Sequence, residues 1–210
     1  MRIDIFSDTV CPWCFIGKRH LEKALTEAGV NDAEIHWHAF QLNPDMPAEG
    51  RDRKTYLAEK FGPDAEQRIH ERLQGAGQAA GIEFHFDRIE RSPNTLDSHR
   101  LIRLAAQHGK QDAAVEALFQ AYFVKGEDIG NRSVLSAIAK AVGLDQDMQS
   151  WFESDTETGV VRDEDRSARQ LGISGVPFFI FEQRYALSGA QPVDVFVKAL
   201  HTARNEALPG

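Results

Sequence analysis

Residues 7–18 read SDTVCPWCFIGK and contain both cysteines of the 210-residue chain, Cys11 and Cys14. The preceding residues 2–6 alternate polar and apolar side chains, a pattern typical of a β-strand. The residues that follow show helical periodicity to about Ala28, and Gly29 is a suitable helix stop. The pattern therefore places both thiols where a strand passes into the N-terminus of a helix.

This position favours thiol chemistry. Unpaired N–H groups and the positive end of the helix dipole stabilise a thiolate at a helix N-terminus. Pro12 suits the first helical position because it has no N–H to leave unpaired. The two-residue spacing lets the thiols form a disulfide across one helical turn. We therefore predict that Cys11 is an exposed nucleophile and that Cys14 is its resolving partner.

Two other interpretations of the cysteine pair remain. A Cys-x-x-Cys pair can be half of a zinc site, but the chain has no second cysteine pair, so we expect no metal here. The pair could also be a structural disulfide, which is uncommon in the cytoplasm. The N-terminus does not resemble a secretory signal, and we therefore expect a cytoplasmic protein with a redox-active pair.

The composition limits the partners of the chain. The apolar fraction of 42% is sufficient for a hydrophobic core, and the formal net charge of -8 argues against nucleic acid or an anionic membrane as a partner. The densest basic cluster, residues 51–54, includes Asp52, and we predict that it forms a solvent-exposed face. No stretch is apolar enough to predict a membrane span.

Residues 34–40 alternate again and predict a second strand, which completes a βαβ unit with parallel strands. His36 and His38 share one face of this strand. Without neighbouring ligands at suitable spacing, we do not expect them to bind a metal.

The middle of the chain, residues 44–171, is predicted to be almost entirely helical. The exception is residues 82–86, for which we predict a short extended segment. The predicted helices span residues 54–61, 64–80, 94–108, 111–124, 132–142, 148–154 and 157–171.

The pattern of the sheet returns after residue 171. Residues 178–181 form a continuous apolar run typical of a buried strand, and residues 185–188 predict its hairpin partner. A terminal helix follows Pro192, and we expect residues 203–210 to be frayed. The fold class is therefore α/β: a thioredoxin-like domain made of residues 1–43 and 172–210, with a helical insertion domain at residues 44–171.

These residues resemble the FrnE-like branch of the DsbA family of thiol-disulfide oxidoreductases. The resemblance extends over nearly the whole chain. It is carried by residues 7–18, 40–44, 94–95, 99–101, 118–123, 128–129 and 175–178. It implies dithiol–disulfide exchange with a protein or small-molecule substrate, no required cofactor, and recycling by glutathione or a thioredoxin-type reductant.

The resemblance also implies roles for individual residues. It implies that the peptide bond between Val176 and Pro177 is cis. It also implies that both residues lie beside the active-site disulfide, where an extended substrate binds. Pro12 and Trp13 would contact the substrate as well. The scaffold is similar to that of 2-hydroxychromene-2-carboxylate isomerases and kappa-class glutathione transferases, which implies a glutathione site near Trp13, Val176, Asn43 and Gln191.

The sequence departs from these relatives at three points. The glutathione-dependent relatives commonly have serine at the position of Cys11, so the cysteine pair favours redox exchange and leaves a glutathione-dependent isomerase or transferase as the alternative. The motif has no histidine between its cysteines, which predicts a less extreme thiolate than in DsbA-type oxidants. A buried acid often lies six residues before the first cysteine in the superfamily, but here that residue is Ile5. Asp4 and Asp8 are the acids closest in sequence to that position, and we do not assign the residue that assists proton transfer.

Overall fold

The computed structural model describes residues 1–205, except for the side chains of Ala65 and Glu66. Its main sheet has the strand order β2-β1-β5-β6. The strands are β1 (Arg2–Ser7), β2 (Glu34–Ala39), β5 (Phe178–Phe181) and β6 (Tyr185–Ser188). β1 and β2 are parallel, and β5 is antiparallel to both of its neighbours, β1 and β6. Both predicted halves of a thioredoxin-like core are confirmed.

Two helices belong to this core. Helix α1 (Pro12–Glu27) ends as predicted, with Gly29 at a φ of 63°. It packs against α9 (Val193–Asn205), which also contacts β5 and β6. The expectation of a frayed tail is wrong for residues 203–205, because α9 continues to Asn205 and buries Ala203. Residues 206–210 lie outside the described part of the chain.

The predicted helices of the insertion are present, with changed ends. Their bounds are α2 (Arg53–Phe61), α3 (Ala65–Ala79), α4 (Leu96–Gln107), α5 (Gln111–Phe119), α6 (Arg132–Ala141), α7 (Met148–Glu153) and α8 (Thr158–Gln170). After α5 the chain continues as a π-helical segment, Gln120–Lys125, which ends at Gly126 with a φ of 76°.

The insertion is not all helical, which corrects the sequence-based expectation. Two short strands, β3 (Arg51–Asp52) and β4 (Arg91–Ser92), pair antiparallel with each other. Residues 82–86 do not form a strand, and Phe86–Arg88 form a 3-10 turn. The two strands were missed because two residues are too few to show an alternating pattern.

The insertion and the core share their packing. One cluster of buried apolar side chains runs from Ile5 and Phe15 in the core to Phe119 and Phe152 in the insertion. Phe15 of α1 stacks on Phe119 of α5 at a ring-centroid distance of 5.0 Å. The domain boundaries at residues 43 and 172 stay a prediction. None of the helices within residues 1–205 is long and apolar enough to span a membrane.

Candidate active site

Cys11 is the N-cap residue of α1 and Pro12 occupies the first turn. The Cys11 N–H donates to the Asp8 carbonyl at 3.0 Å, and the Cys14 N–H donates to the Cys11 carbonyl at 3.0 Å. The Cys11 thiol points toward the Val176 carbonyl, with Sγ 3.5 Å from the oxygen. These contacts place Cys11 between the end of β1 and the loop before β5.

Both thiols are free and buried, with 4% of Cys11 and 1% of Cys14 exposed. The expectation of an exposed Cys11 is therefore wrong: its side chain lies in the wall of a cavity. Burial raises the pKa of Cys14 well above its usual value, and its hydrogen bond and electrostatic interaction with Cys11 raise it further. The Ser7 hydroxyl and the Asp8 backbone bond Cys14 and partly offset this rise. Cys14 is thus kept protonated while it is reduced.

The loop before β5 lies directly against α1. The peptide bond between Val176 and Pro177 is cis, and the Pro177 carbonyl accepts from the Gly189 N–H at 2.8 Å. Gly17 allows the close approach, because a Cβ there would lie 3.0 Å from Pro177 Cγ and 3.0 Å from the Phe179 ring. A glycine inside α1 therefore sets the distance between the cysteine helix and Pro177.

A cavity of about 420 Å³ opens beside Cys11. The core side of its wall includes five of the residues predicted to act at the site: Cys11, Pro12, Trp13, Asn43 and Val176. Its other walls come from the insertion, namely α2, α3, the loop before α4 and the π-helical segment. The site is therefore built jointly by the two parts of the chain.

Three of the predicted site residues lie elsewhere. Cys14 and Pro177 are buried and do not line the cavity. Gln191 also lies outside the cavity: its side chain donates to the Ser188 carbonyl at 2.8 Å, and its carbonyl bonds His20 Nδ1 at 2.7 Å. Gln191 thus joins β6, α1 and the start of α9, and its predicted role in glutathione binding stays a prediction.

Asp8 is the acid that lines the same cavity as Cys11. It is fully buried. Its carboxylate accepts from the Leu42 N–H at 2.7 Å and lies 3.2 Å from His99 Nε2. Asp4, the other acid considered, bonds Arg2 and His38 instead. The position of Ile5 is apolar and completely buried, so an acid near the thiols comes from the loop and not from the strand.

Two further cavity residues were missed by the sequence-based reasoning. Arg53 was predicted to lie on a solvated face, but only 8% of it is exposed and its Nη1 donates to the Tyr122 hydroxyl at 3.3 Å. Burial raises the pKa of Tyr122 to about 12. The spacing of Arg53, Tyr56, Leu57 and Lys60 could have identified Arg53, since all four fall on one helix face and all four line the cavity.

No group of three or more His, Cys, Asp and Glu side chains suited to a metal ion occurs within residues 1–205, the side chains of residues 65 and 66 aside. His38, one of the two histidines on β2, has its Nε2 2.7 Å from Asp4 Oδ1 and its Nδ1 3.8 Å from Glu164 Oε1. This pairing gives His38 a structural role between β2 and α8.

Comparisons with known proteins give a consistent result. The family model described as a DSBA-like thioredoxin domain matches residues 2–201. The crystal structure of a probable DsbA oxidoreductase from Streptomyces coelicolor is 32% identical, with a TM-score of 0.91, and the match covers 100% of this chain and 92% of that one.

Two further relatives are less similar in sequence. The uncharacterized protein YwbO of Bacillus subtilis is 29% identical over 95% of this chain and 96% of its own length. The cytosolic disulfide reductase DsbM of Pseudomonas aeruginosa, solved with GSH, is 21% identical with a TM-score of 0.69, and the match covers 98% of this chain and 100% of that one. The similarity to DsbM shows a shared fold and nothing more.

Proposed function

Because the chain belongs to the family of DsbA-like thioredoxin domains, we propose that it is a thiol-disulfide oxidoreductase that reacts through Cys11 and Cys14. The observation that carries the proposal is the unequal placement of two free thiols on one helix N-terminus. Cys11 borders a cavity, whereas Cys14 lies behind it in contact with Cys11. A substrate disulfide in the cavity has access to Cys11 first.

The reaction proceeds in two exchange steps. The Cys11 thiolate attacks one sulfur of the substrate disulfide, which forms a mixed disulfide and releases the other sulfur as a thiolate. Cys14 then loses its proton and attacks Cys11 Sγ, which releases the second substrate thiolate and leaves a Cys11–Cys14 disulfide. Two electrons pass to the substrate, and the two protons of the dithiol pass to the released thiolates or to solvent. The reverse sequence oxidises a substrate dithiol.

The surroundings of each sulfur suit these steps. Cys11 lies at the N-terminus of α1 and borders the cavity, where it meets the substrate in the first step. Ser7 and the Asp8 backbone bond Cys14, and these donors favour its thiolate in the second step. Val176 presents its carbonyl to Cys11, and the proposed role of Val176 and Pro177 is to hold the substrate sulfur in line.

The oxidised enzyme needs a reductant. We propose glutathione or a thioredoxin-type protein for this step, and a cytoplasmic location. Support comes from DsbM, which is a cytosolic disulfide reductase solved with GSH and shares the fold. A glutathione-dependent isomerase or transferase acting on an aromatic small molecule is the weaker candidate, since the enzymes of that kind which the chain resembles commonly have serine where this chain has Cys11.

Two single variants test the proposal. With a disulfide substrate, Cys14→Ser is expected to accumulate a covalent mixed disulfide at Cys11, visible as an added mass that a reductant removes. Cys11→Ser is expected to form no adduct and to turn over no substrate. Turnover retained by Cys11→Ser would show that Cys11 is not the nucleophile.

A further inference from the structure

Arg53 is a buried cation that forms no ion pair with a carboxylate of the described residues. Its side chain makes one hydrogen bond, from Nη1 to the Tyr122 hydroxyl, and its buried Nε has no partner. Tyr122 supplies no counter-charge near pH 7, and burial raises its pKa further above that pH, to about 12. A buried charge without an ion-pair partner is costly, so a cavity that contains one is a candidate site for an anionic ligand.

Asp8, the acid of the cavity lining, forms no ion pair with Arg53. Its carboxylate instead accepts from the Leu42 N–H and lies against His99. The other charged residues of the lining are Lys60 and Arg68, both cationic and exposed. The charged side chains of the lining are therefore three cations and one carboxylate, so the cavity has an excess of positive charge although the chain as a whole has a net charge of -8.

The rest of the wall is mostly apolar. Arg53 itself lies 5.8 Å from the ring centre of Phe86. The apolar lining includes Trp13, Leu57, Phe61, Ile69, Leu73 and Phe123. The volume of about 420 Å³ is within the range of small-molecule sites, roughly 300–1,000 Å³. An apolar wall of this size with a single buried cation suits a ligand that is apolar at one end and anionic at the other.

We propose that the cavity binds a small aromatic or similarly apolar disulfide or thiol that carries a carboxylate, and that Arg53 binds this carboxylate while the ligand sulfur lies at Cys11. The inference rests on the proposed function for the identity of the reacting sulfur. It adds a substrate class and a residue that selects it. The exchange follows the two steps above, with the aromatic thiolates as leaving groups.

The kinetic test compares two aromatic disulfides with the reduced enzyme. Dithiobis(nitrobenzoate) carries a carboxylate on each ring, whereas dithiodipyridine has two rings and no carboxylate. Arg53→Met is expected to lower the rate constant for dithiobis(nitrobenzoate) at least about tenfold, the loss of one charge-assisted hydrogen bond, and to change that for dithiodipyridine less than about twofold. Arg53→Lys is expected to restore part of the loss.

Lys54→Met is the matched control, because it removes one positive charge from the adjacent, exposed residue that does not line the cavity. It is expected to change neither rate constant. An equal loss with both disulfides in Arg53→Met, or no loss with either, would overturn the inference. A purely structural Arg53 would instead lower the melting temperature when replaced, whereas we expect Arg53→Met to melt no lower than the parent protein.

A binding measurement separates this inference from the proposed function. In a variant with serine at both cysteines, nitrobenzoate is expected to bind saturably, and the uncharged nitrobenzamide is expected to bind at least about tenfold more weakly. If this selective binding is found and disappears in Arg53→Met, the carboxylate site at Arg53 stands even if the thiols prove inactive, and only the assignment of a reacting sulfur fails. If disulfide exchange occurs without any carboxylate preference, only the inference fails.

Discussion

Cys11 and Cys14 lie one helical turn apart but have different surroundings. Cys11 caps α1 at the cavity wall, and its thiol faces the Val176 carbonyl. Cys14 is 1% exposed, and burial, together with Cys11, raises its pKa. The two thiols should therefore differ in reactivity as well as in position.

Selective alkylation tests this difference. At pH 7 iodoacetamide is expected to modify Cys11 of the reduced, folded protein and to leave Cys14 unmodified, because Cys14 is both buried and protonated. Peptide mass mapping identifies the modified thiol, and protein unfolded in urea, in which both cysteines react, is the control. Faster labelling of Cys14 would reverse the assignment of nucleophile and resolving thiol.

Gly17 determines how closely α1 approaches the Pro177 loop. We expect Gly17→Val to lower the free energy of unfolding by about 1–3 kcal/mol, because the new side chain overlaps Pro177 and Phe179. Urea denaturation measures the change. Gly75→Val in α3 is the matched control, since a Cβ at Gly75 meets no atom within 4 Å. Equal effects at the two positions would show that the close contact at Gly17 is unimportant.

The residues of the site differed in how readily the sequence revealed them. The cysteine pair and Pro12 could be recognised from local spacing, because their chemistry depends on one helix end. Arg53 and Tyr122 reach the cavity through the packing of α2 and of the π-helical segment. That packing is tertiary, so a charged cluster next to Asp52 appeared to be a solvated face.

At the level of elements, β2 is an edge strand of the main sheet and the insertion covers its free side. Gln111 of α5 accepts from the Trp37 N–H at 3.0 Å and donates to the Trp37 carbonyl at 2.8 Å. Glu164 of α8 accepts from the Ala39 N–H at 2.9 Å. Side chains of the insertion thus take the place of a neighbouring strand and protect the edge.

The charges at this edge make its contribution to stability depend on pH. Burial lowers the pKa of His38, but its interactions with Glu164 and Asp4 outweigh this and raise the pKa overall. Burial raises the pKa of both Asp4 and Glu164, but their polar partners outweigh this and lower it. The contribution of His38 is therefore complete below its unfolded pKa of about 6.5 and is lost as the pH rises through the raised value.

We expect His38→Gln to cost about 1–2 kcal/mol of unfolding free energy at pH 6 and clearly less at pH 9. Below about pH 4 the cost should fall again, as Asp4 and Glu164 become protonated. Urea denaturation midpoints of the parent protein and the variant, measured at pH 6, at pH 9 and below about pH 4, give the effect. His36→Gln is the control, because within residues 1–205 the structure gives His36 no carboxylate partner. A cost that does not vary with pH would contradict the charged pairing.

The main elements could be predicted because α1 and α9 have long, regular helical periods and β5 is a continuous apolar run. The π-helical segment could not, because α-helical and π-helical turns show similar apolar spacing over only six residues. The π-helical segment matters for the site, since it contains the cavity residues Tyr122 and Phe123.

On the scale of the whole molecule, the core and the insertion are joined by one apolar cluster and by charges. Lys18 of α1 is buried and bonds Glu22, and it lies 3.2 Å from Asp112 and 3.3 Å from Glu116 of α5. Both parts also form the cavity wall. We therefore expect the chain to unfold as one cooperative unit.

Two single-tryptophan proteins test this cooperativity. Trp37 reports on β2 and Trp151 reports on α7, far apart in the sequence. In each protein, the fluorescence midpoint in urea is expected to match the midpoint that circular dichroism gives for the same protein. A fluorescence midpoint that departs from the circular dichroism midpoint within one protein would show that the insertion unfolds independently.

The central claim is that Cys11 and Cys14 form a catalytic redox pair, and a redox titration tests it most directly. The protein is equilibrated in glutathione buffers, its free thiols are alkylated, and its mass is recorded. We predict a single two-electron transition between a dithiol and an internal disulfide, absent in both Cys11→Ser and Cys14→Ser. A pair that never forms a disulfide, and instead takes up one glutathione per chain, would contradict the account.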